Sequence, residues 1–243
     1  MKQTKIRFPK EAAYVLGILL MALGVACVSR SCFGYSMIVA PVYLIFKKLG
    51  GVLSFGTVEY LFQGVLLLLL CVIIRRFRWQ YLLSFVTAVL YGFAFDGALF
   101  LLQIIPAEAL CMRILLFAVG TVLISVSVAF FMRTYLAPEV YELFVRELAN
   151  AHHLAFGRVK LCYDCISCVF SIVLSVVLFG GGVFASFSFD AFLDAVISGY
   201  ILEGIGIGTV IAALVNGPLI TLIGSWMDRH LEMTQNPKAA AFF

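Results

Sequence analysis

Apolar residues run through this chain in long blocks that short polar stretches separate. A helix needs about 20 mostly apolar residues to cross the hydrocarbon core of a bilayer. Two shorter segments, residues 40–49 and 137–148, carry apolar positions at helical spacing and are too short to span. We expect them to lie on the membrane interface or to enter the membrane as re-entrant elements. The pattern therefore predicts two short amphipathic helices and six transmembrane helices, the latter at residues 12–29, 55–74, 81–105, 112–131, 159–180 and 195–226.

Parts of the sequence occur twice in nearly the same form. LSFGTVEYLFQG at residues 53–64 returns as LAFGRVKLCYDC at residues 154–165, and APVYLIF at 40–46 returns as APEVYELF at 137–144. A repeated unit with three crossings enters the membrane the second time from the opposite side. We therefore predict an all-α polytopic membrane protein with two inverted three-helix repeats, related by a pseudo-twofold axis in the membrane plane.

A third and weaker match falls in the last helix of each repeat. It sets LYGFAFDG, around Gly92, against LVNGPLI, around Gly217, and it needs an insertion in the second half. With this match the chain divides into an N-terminal segment, a first repeat, a second repeat and a C-terminal tail, at residues 1–11, 12–105, 112–227 and 228–243.

The composition agrees with a membrane protein and gives it an orientation. Hydrophobic residues make up 63% of the chain and charged residues 12%, where soluble domains carry about 25% charge. Basic clusters at residues 2–10 and 75–78 place both termini in the cytoplasm by the positive-inside rule, with Lys47 and Lys48 as outer exceptions. The net charge of +4 is then a consequence of topology, so no nucleic-acid partner is expected.

The sequence carries no signature of catalysis or of a cofactor. The seven cysteines are an odd number and indicate no disulfide framework. In CYDCISC, residues 162–168, the thiols drift around the helix by about 60° per step, so three of them do not converge on a metal. No Ser/His/Asp set, HExxH helix or P-loop is present. We therefore expect neither an enzyme nor a metal or cofactor site.

Three stretches resemble the YczE/YitT-type integral membrane proteins of bacteria. They are residues 34–64, with the phrase LSFG, residues 135–165, with an acidic position matched by Asp164, and GIGIGTVIAALVNGPLI at residues 204–220. The resemblance covers most of the chain, although the Trp that the first motif often carries is missing from residues 37–41. It implies a transporter-like protein of the bacterial inner membrane and no particular substrate.

Six ionisable residues fall inside predicted spanning helices, where each costs about 2.5–3.5 kcal/mol. Glu59 and Gln63 share one face of the second helix, and Lys160 and Asp164 occupy the equivalent positions of the fifth. If the repeats are inverted, Glu59 lies about 6 Å inside the outer boundary of the membrane, and Lys160 lies at a similar depth inside the inner boundary. The two side chains are then too far apart to pair. We interpret the two pairs as half-sites, one facing each compartment. Alternatively, both charges extend to their own interfaces.

The other buried charges extend the candidate site. Asp164 and Asp96 lie deeper, and both are expected in the cation-coupling or binding path. Asp96 suits binding of a proton or Na⁺, with a buried pair to Arg113 or a hydroxyl as the alternative. In the last helix, Asn216 lies beside carbonyls that Pro218 frees, and it offers a third binding position. The glycines at residues 204, 206 and 208 suit close helix packing. The remaining ionisable residue is Glu203, and the aromatic segment at residues 184–194 resembles a lid or interfacial helix.

These features favour secondary transport of a small solute by alternating access, coupled to a proton or another cation such as Na⁺. The predicted partners are the lipid bilayer, an unidentified solute and a possible second copy in a homodimer. Two alternatives remain. A regulator or assembly factor without transport activity would have no central cavity. The substrate-binding subunit of a multicomponent importer would bind solute tightly and would need an energising partner to move it.

Overall fold

A computed structural model describes residues 6–50, 52–105, 107, 109–180 and 201–234. A four-residue strand, β1 (Ile6–Pro9), precedes the first helix, and β2 (Leu231–Thr234) follows the last one. A 3-10 turn, Trp79–Leu82, leads into the fourth helix. The helices in chain order are α1 (Lys10–Ser31), α2 (Ala40–Lys48), α3 (Phe55–Ile74), α4 (Leu83–Leu102), α5 (Leu110–Phe131), α6 (Val140–Ala151), α7 (Phe156–Phe179) and α8 (Ile207–His230).

Six of these helices are long and apolar enough to cross a membrane, as the sequence predicts. The remaining two, α2 and α6, have 9 and 12 residues. The chain is thus a multi-pass helical membrane protein. Pro41 stands in the first turn of α2 as expected, whereas Pro138 precedes the first residue of α6.

The predicted span at residues 195–226 is wrong at its beginning, because α8 begins only at Ile207. Gly204 adopts a positive φ of 72°, which L side chains rarely adopt, so it closes a turn between Leu202 and Ile205. Gly206 then caps α8. These glycines therefore form the turn before α8, and the proposed lid at residues 184–194 lies outside the described residues.

The two strands form a parallel pair that the sequence pattern does not predict. Ile6 lies opposite Leu231 and Pro9 lies opposite Thr234. The start of α1 and the end of α8 are therefore side by side at one end of the bundle, which agrees with an even number of crossings. We call this end of the bundle the strand face. The opposite end, which carries α2 and residues 202–206, is the α2 face.

Helices α1 and α5 pack closely in antiparallel directions, and glycines make this possible. A Cβ atom built on Gly120 would lie 2.6 Å from the carbonyl oxygen of Gly24, and one built on Gly24 would lie 2.9 Å from that of Gly120. Small residues allow backbones to approach in this way in membrane helices. Deeper toward the strand face, Gly17 accommodates the ring of Phe131.

The substitution Gly120→Ala is expected to lower the free energy of unfolding by about 1–3 kcal/mol, because the added methyl group forces α1 and α5 apart. Thermal unfolding of the purified protein in detergent measures this loss. Gly64→Ala is the matched control, since nothing lies within 4 Å of a Cβ at Gly64. Equal melting temperatures for the two variants would contradict the tight α1–α5 contact.

Helix α6 lies inside the bundle. It packs against α3, α4 and α7, and its residues from Val140 to Val145 are buried. Its cap residue Glu139 is also buried. Between the interfacial and re-entrant alternatives, this burial favours a re-entrant α6, whose first turn reaches the interior of the protein.

Candidate functional site

A cavity of about 490 Å³ lies between the helices and receives side chains from both halves of the chain. The first turn of α6 forms part of its wall. Aromatic rings contribute much of the apolar surface, from Tyr35, Phe55, Tyr60, Tyr91, Phe95 and Tyr141. The charged and amide side chains on the wall are Glu59, Gln63, Asp96, Glu139, Glu142, Lys160 and Asn216.

Lys160 forms a buried ion-pair group on the wall of this cavity. Its Nζ lies 3.0 Å from Oδ1 of Asp164, one helical turn further along α7, and 3.8 Å from Oε1 of Glu142 on α6. The side chain of Lys160 is 2% exposed and that of Asp164 is 0% exposed. The alternative in which Lys160 extends to the interface is therefore wrong, because α6 encloses it.

Glu59 contacts both its predicted neighbour, Gln63, and Tyr141 of α6. Its Oε1 accepts from Nε2 of Gln63 at 3.4 Å and from the hydroxyl of Tyr141 at 3.3 Å. Glu59 and Lys160 thus lie on the wall of one cavity. The interpretation of these residues as two half-sites, one facing each compartment, stays a prediction, and in this structure one cavity joins the two positions.

Glu139 and Glu142 also line the cavity, although the pattern of apolar helices does not distinguish them in the sequence. Both are buried in the first turn of α6. Burial raises the pKa of the Glu139 carboxyl well above its usual range, and the nearby carboxylates of Glu142 and Glu59 raise it further. Burial also raises the pKa of Glu142, against the opposing effect of the Lys160 ammonium.

Three buried side-chain oxygens on the cavity wall have no hydrogen-bond partner. They are Oε1 of Gln63, Oε1 of Glu139 and Oδ1 of Asn216. Each of these side chains is at least nine-tenths buried. An unpaired buried acceptor costs free energy, so native proteins usually satisfy it with a water or a ligand.

Two further predicted residues, Asp96 and Asn216, line the cavity. Asp96 lines the cavity, and Arg113, its expected partner, donates to the carbonyl oxygens of Ser31 and Cys32 at 2.8 and 2.9 Å. Asn216 lines the cavity on a helix that continues through Pro218 without unwinding.

Glu203 is not part of this cavity wall. It lies in the turn before α8 at the α2 face, where its carboxylate pairs with Nζ of Lys47 at 2.6 Å and accepts from Tyr43 at 3.2 Å. The prediction that Glu203 lies inside a spanning helix is therefore wrong, because α8 begins only at Ile207, and its role in binding stays a prediction. The pair also gives a partner to Lys47, one of the two exceptions to the charge rule.

Comparison with known proteins identifies relatives of the chain without assigning an activity. A family model described as a family of unknown function, DUF6198, matches residues 8–188. A Bacillus subtilis (strain 168) protein described as uncharacterized protein YyaS is 26% identical over 225 residues, which are 91% of this chain and 95% of that protein. No solved structure matches the chain.

Proposed function

We propose that this chain, which belongs to the DUF6198 family of unknown function, is a secondary transporter that moves a small solute by alternating access, coupled to a proton or another cation. The cavity of about 490 Å³ carries this proposal, because ionisable side chains from both halves of the chain line it. Its size lies within the range of about 300–1,000 Å³ that is typical of small-molecule sites.

The charges on the cavity wall support a role in transport. Glu59, Asp96 and Lys160 belong to helices that are apolar enough to span, where an ionisable group is costly and usually serves a pathway or a proton relay. In this proposal the carboxylates bind the solute and the coupling cation in turn. Asp164 acts from behind the wall, by holding the Lys160 ammonium.

The packing of the helices supports inverted repeats as the basis of alternating access. Helix α1 packs against α4 as α5 packs against α8, and α2 packs against α7 as α6 packs against α3. The two first helices, α1 and α5, pack against each other. A pseudo-twofold axis in the membrane plane exchanges these contacts in the way that inverted-repeat transporters require.

Two pairs of glycines differ in a way that also supports this mechanism. The repeat aligns Gly56 with Gly157 and Gly92 with Gly217. In the second half, α7 and α8 pack closely, since a Cβ on Gly217 would lie 2.8 Å from the carbonyl oxygen of Gly157. In the first half, Gly56 and Gly92 line the cavity, and nothing lies within 4 Å of a Cβ on either. In this proposal the close α7–α8 contact is a closed gate, and the space between α3 and α4 is its open counterpart.

The orientation of the chain in the membrane is also part of the proposal. The exposed basic residues Arg75, Arg76 and Arg78 lie in the turn between α3 and α4, at the strand face. The positive-inside rule then makes the strand face cytoplasmic in a bacterial inner membrane. The resemblance to YczE/YitT-type proteins stays a prediction.

The two alternative functions predict a different cavity or a different solute flux from those of a transporter. A regulator without transport activity would have no central cavity, so the cavity favours a solute-binding function. The substrate-binding subunit of a multicomponent importer would share the cavity. It would bind solute and fail to move it when no energising partner is present.

Flux through proteoliposomes that contain only this chain tests the proposal. With a solute library outside and dyes sensitive to H⁺ and to Na⁺ inside, at least one solute is expected to move and to change the internal concentration of one of these cations. The variants Glu59→Gln and Asp96→Asn should slow that flux at least tenfold, which corresponds to about 1.4 kcal/mol of transition-state stabilisation. Glu232→Gln, an exposed carboxylate on β2, is the matched control and should transport normally.

Two results would overturn the proposal. Normal flux in both cavity variants would remove the carboxylates from the transport path. Tight solute binding with no flux in the wild-type protein would indicate the substrate-binding subunit of an importer instead.

A further inference from the structure

The buried side-chain atoms of the cavity wall that lack a hydrogen-bond partner are all oxygen acceptors. Oε1 of Gln63, Oε1 of Glu139 and Oδ1 of Asn216 come from α3, the cap of α6 and α8, and all three side chains line the same cavity. A ligand that satisfies them must donate hydrogen bonds. An ammonium group has three donors and no acceptor, so it fits this set of atoms.

The charges around the cavity also favour a cation. Glu59, Glu139 and Glu142 line the cavity and Asp164 lies beside Lys160, whose ammonium is the one cationic group among the described residues of the cavity wall. That ammonium already faces Asp164 and Glu142 and is almost wholly buried. Glu59 and Glu139 therefore have no cationic partner within 4.0 Å among the described residues. Buried charges are usually paired, and a bound cation would supply the missing partner.

The shape and lining of the cavity favour an organic cation over an inorganic one. Among the residues that the structure describes, no group of three His, Cys, Asp or Glu side chains could hold a metal ion. The cavity of about 490 Å³ is far larger than a single ion needs. Its aromatic rings, which include Tyr60, Tyr91 and Phe95, provide apolar contact and cation–π attraction for an alkylammonium.

We propose that the solute is a small protonated amine with an apolar body, whose ammonium group lies among Gln63, Glu139 and Asn216. This inference rests on the proposed function, since it names the class of solute that the transporter carries. The apolar part of the amine contacts the aromatic wall. The ion pairs of Lys160 with Asp164 and Glu142 hold α6 against α7 beside the cavity.

Binding of such a cation is expected to release a proton. Burial and the neighbouring carboxyl groups of Glu142 and Glu59 raise the pKa of Glu139, so a proton competes with a cation for this carboxyl. The groups near it are Tyr14 of α1, Glu59 of α3, Tyr91 of α4 and Glu142 of α6. An arriving ammonium favours the carboxylate, whose proton passes to water in the cavity. Amine affinity therefore rises as pH rises through the pKa of Glu139, and amine and proton exchange in opposite directions.

The experiment uses the full chain in lipid nanodiscs and three probes of similar shape and different charge. These are 2-phenylethylamine, 2-phenylethanol and phenylacetate, and both calorimetry and thermal shift measure their binding. The amine stays charged below its pKa of about 10, so its own titration does not affect measurements between about pH 5.5 and about pH 7.5. We expect the amine to bind at least tenfold more tightly than the alcohol or the acid, with Kd falling as pH rises.

The variant Glu139→Gln should weaken amine binding at least tenfold and remove its pH dependence. Glu232→Gln, the same chemical change on an exposed side chain, should change neither. The comparison of the three probes on the wild-type protein needs no variant, so it remains decisive even if Glu139→Gln does not fold.

Several outcomes would overturn the inference. They are tighter binding of phenylacetate or of the alcohol, binding of none of the three probes, and saturation by Na⁺ that excludes the amine. Amine binding without flux in proteoliposomes would leave the solute class standing and remove transport. Flux of an anionic or neutral solute without amine binding would leave transport standing and remove the solute class.

Discussion

Replacing Lys160 with methionine is expected to lower the free energy of unfolding by about 3–5 kcal/mol, the typical loss when one partner of a buried ion pair is removed. The reason is the environment of this ammonium. It lies 3.0 Å from Asp164 and 3.8 Å from Glu142, and the three side chains are at most 5% exposed. Without Lys160, two carboxyl groups stay buried with no cation beside them. Thermal or denaturant unfolding in detergent micelles measures the loss.

Two further variants make this result specific. Lys48→Met, an exposed lysine on α2, should cost less than about 1 kcal/mol. The double variant Lys160→Met with Asp164→Leu should recover at least half of the loss, because apolar residues of similar volume often replace a buried pair at little cost. A loss below about 1 kcal/mol for Lys160→Met would instead indicate a lysine that extends to the membrane surface.

The spanning helices could be predicted from the sequence because a membrane helix depends on local composition. The predicted bounds of α3, residues 55–74, agree with the structure, since Ser54 caps the helix before Phe55 and a basic cluster follows Ile74. The start of α8 could not be predicted in the same way. Residues 195–206 are apolar enough to extend a helix, and the turn there depends on the backbone conformation of Gly204.

The candidate site could be predicted only in part, because some of its residues are buried by packing between distant parts of the chain. Glu59, Lys160 and Asp96 are recognisable because they interrupt apolar helices. Glu139 and Glu142 are not recognisable in this way, because they belong to a short amphipathic segment whose polar face normally contacts water. Only the burial of α6 places them in the cavity, and burial depends on packing between distant parts of the chain.

The substitutions Gly56→Ala and Gly92→Ala are expected to reduce solute flux at least tenfold without lowering the melting temperature. In this structure both glycines have open space around a Cβ, so an added methyl group meets nothing. In the alternate state, α3 and α4 are expected to pack as α7 and α8 do here. Gly56 would then face Gly92 as closely as Gly157 faces Gly217, and a methyl group would keep this gate from closing.

The controls separate this mechanism from a general effect of substitution in α3 and α4. Gly64→Ala and Gly97→Ala lie on the same two helices, also have open space around a Cβ, and should transport normally. Gly157→Ala has the opposite structural effect, because its methyl group would overlap Oγ1 of Thr221 and disfavour the closed α7–α8 contact. It should therefore increase labelling of cysteines placed at the strand face. Normal flux in both Gly56→Ala and Gly92→Ala would mean that α3 and α4 never close, so the two halves do not alternate.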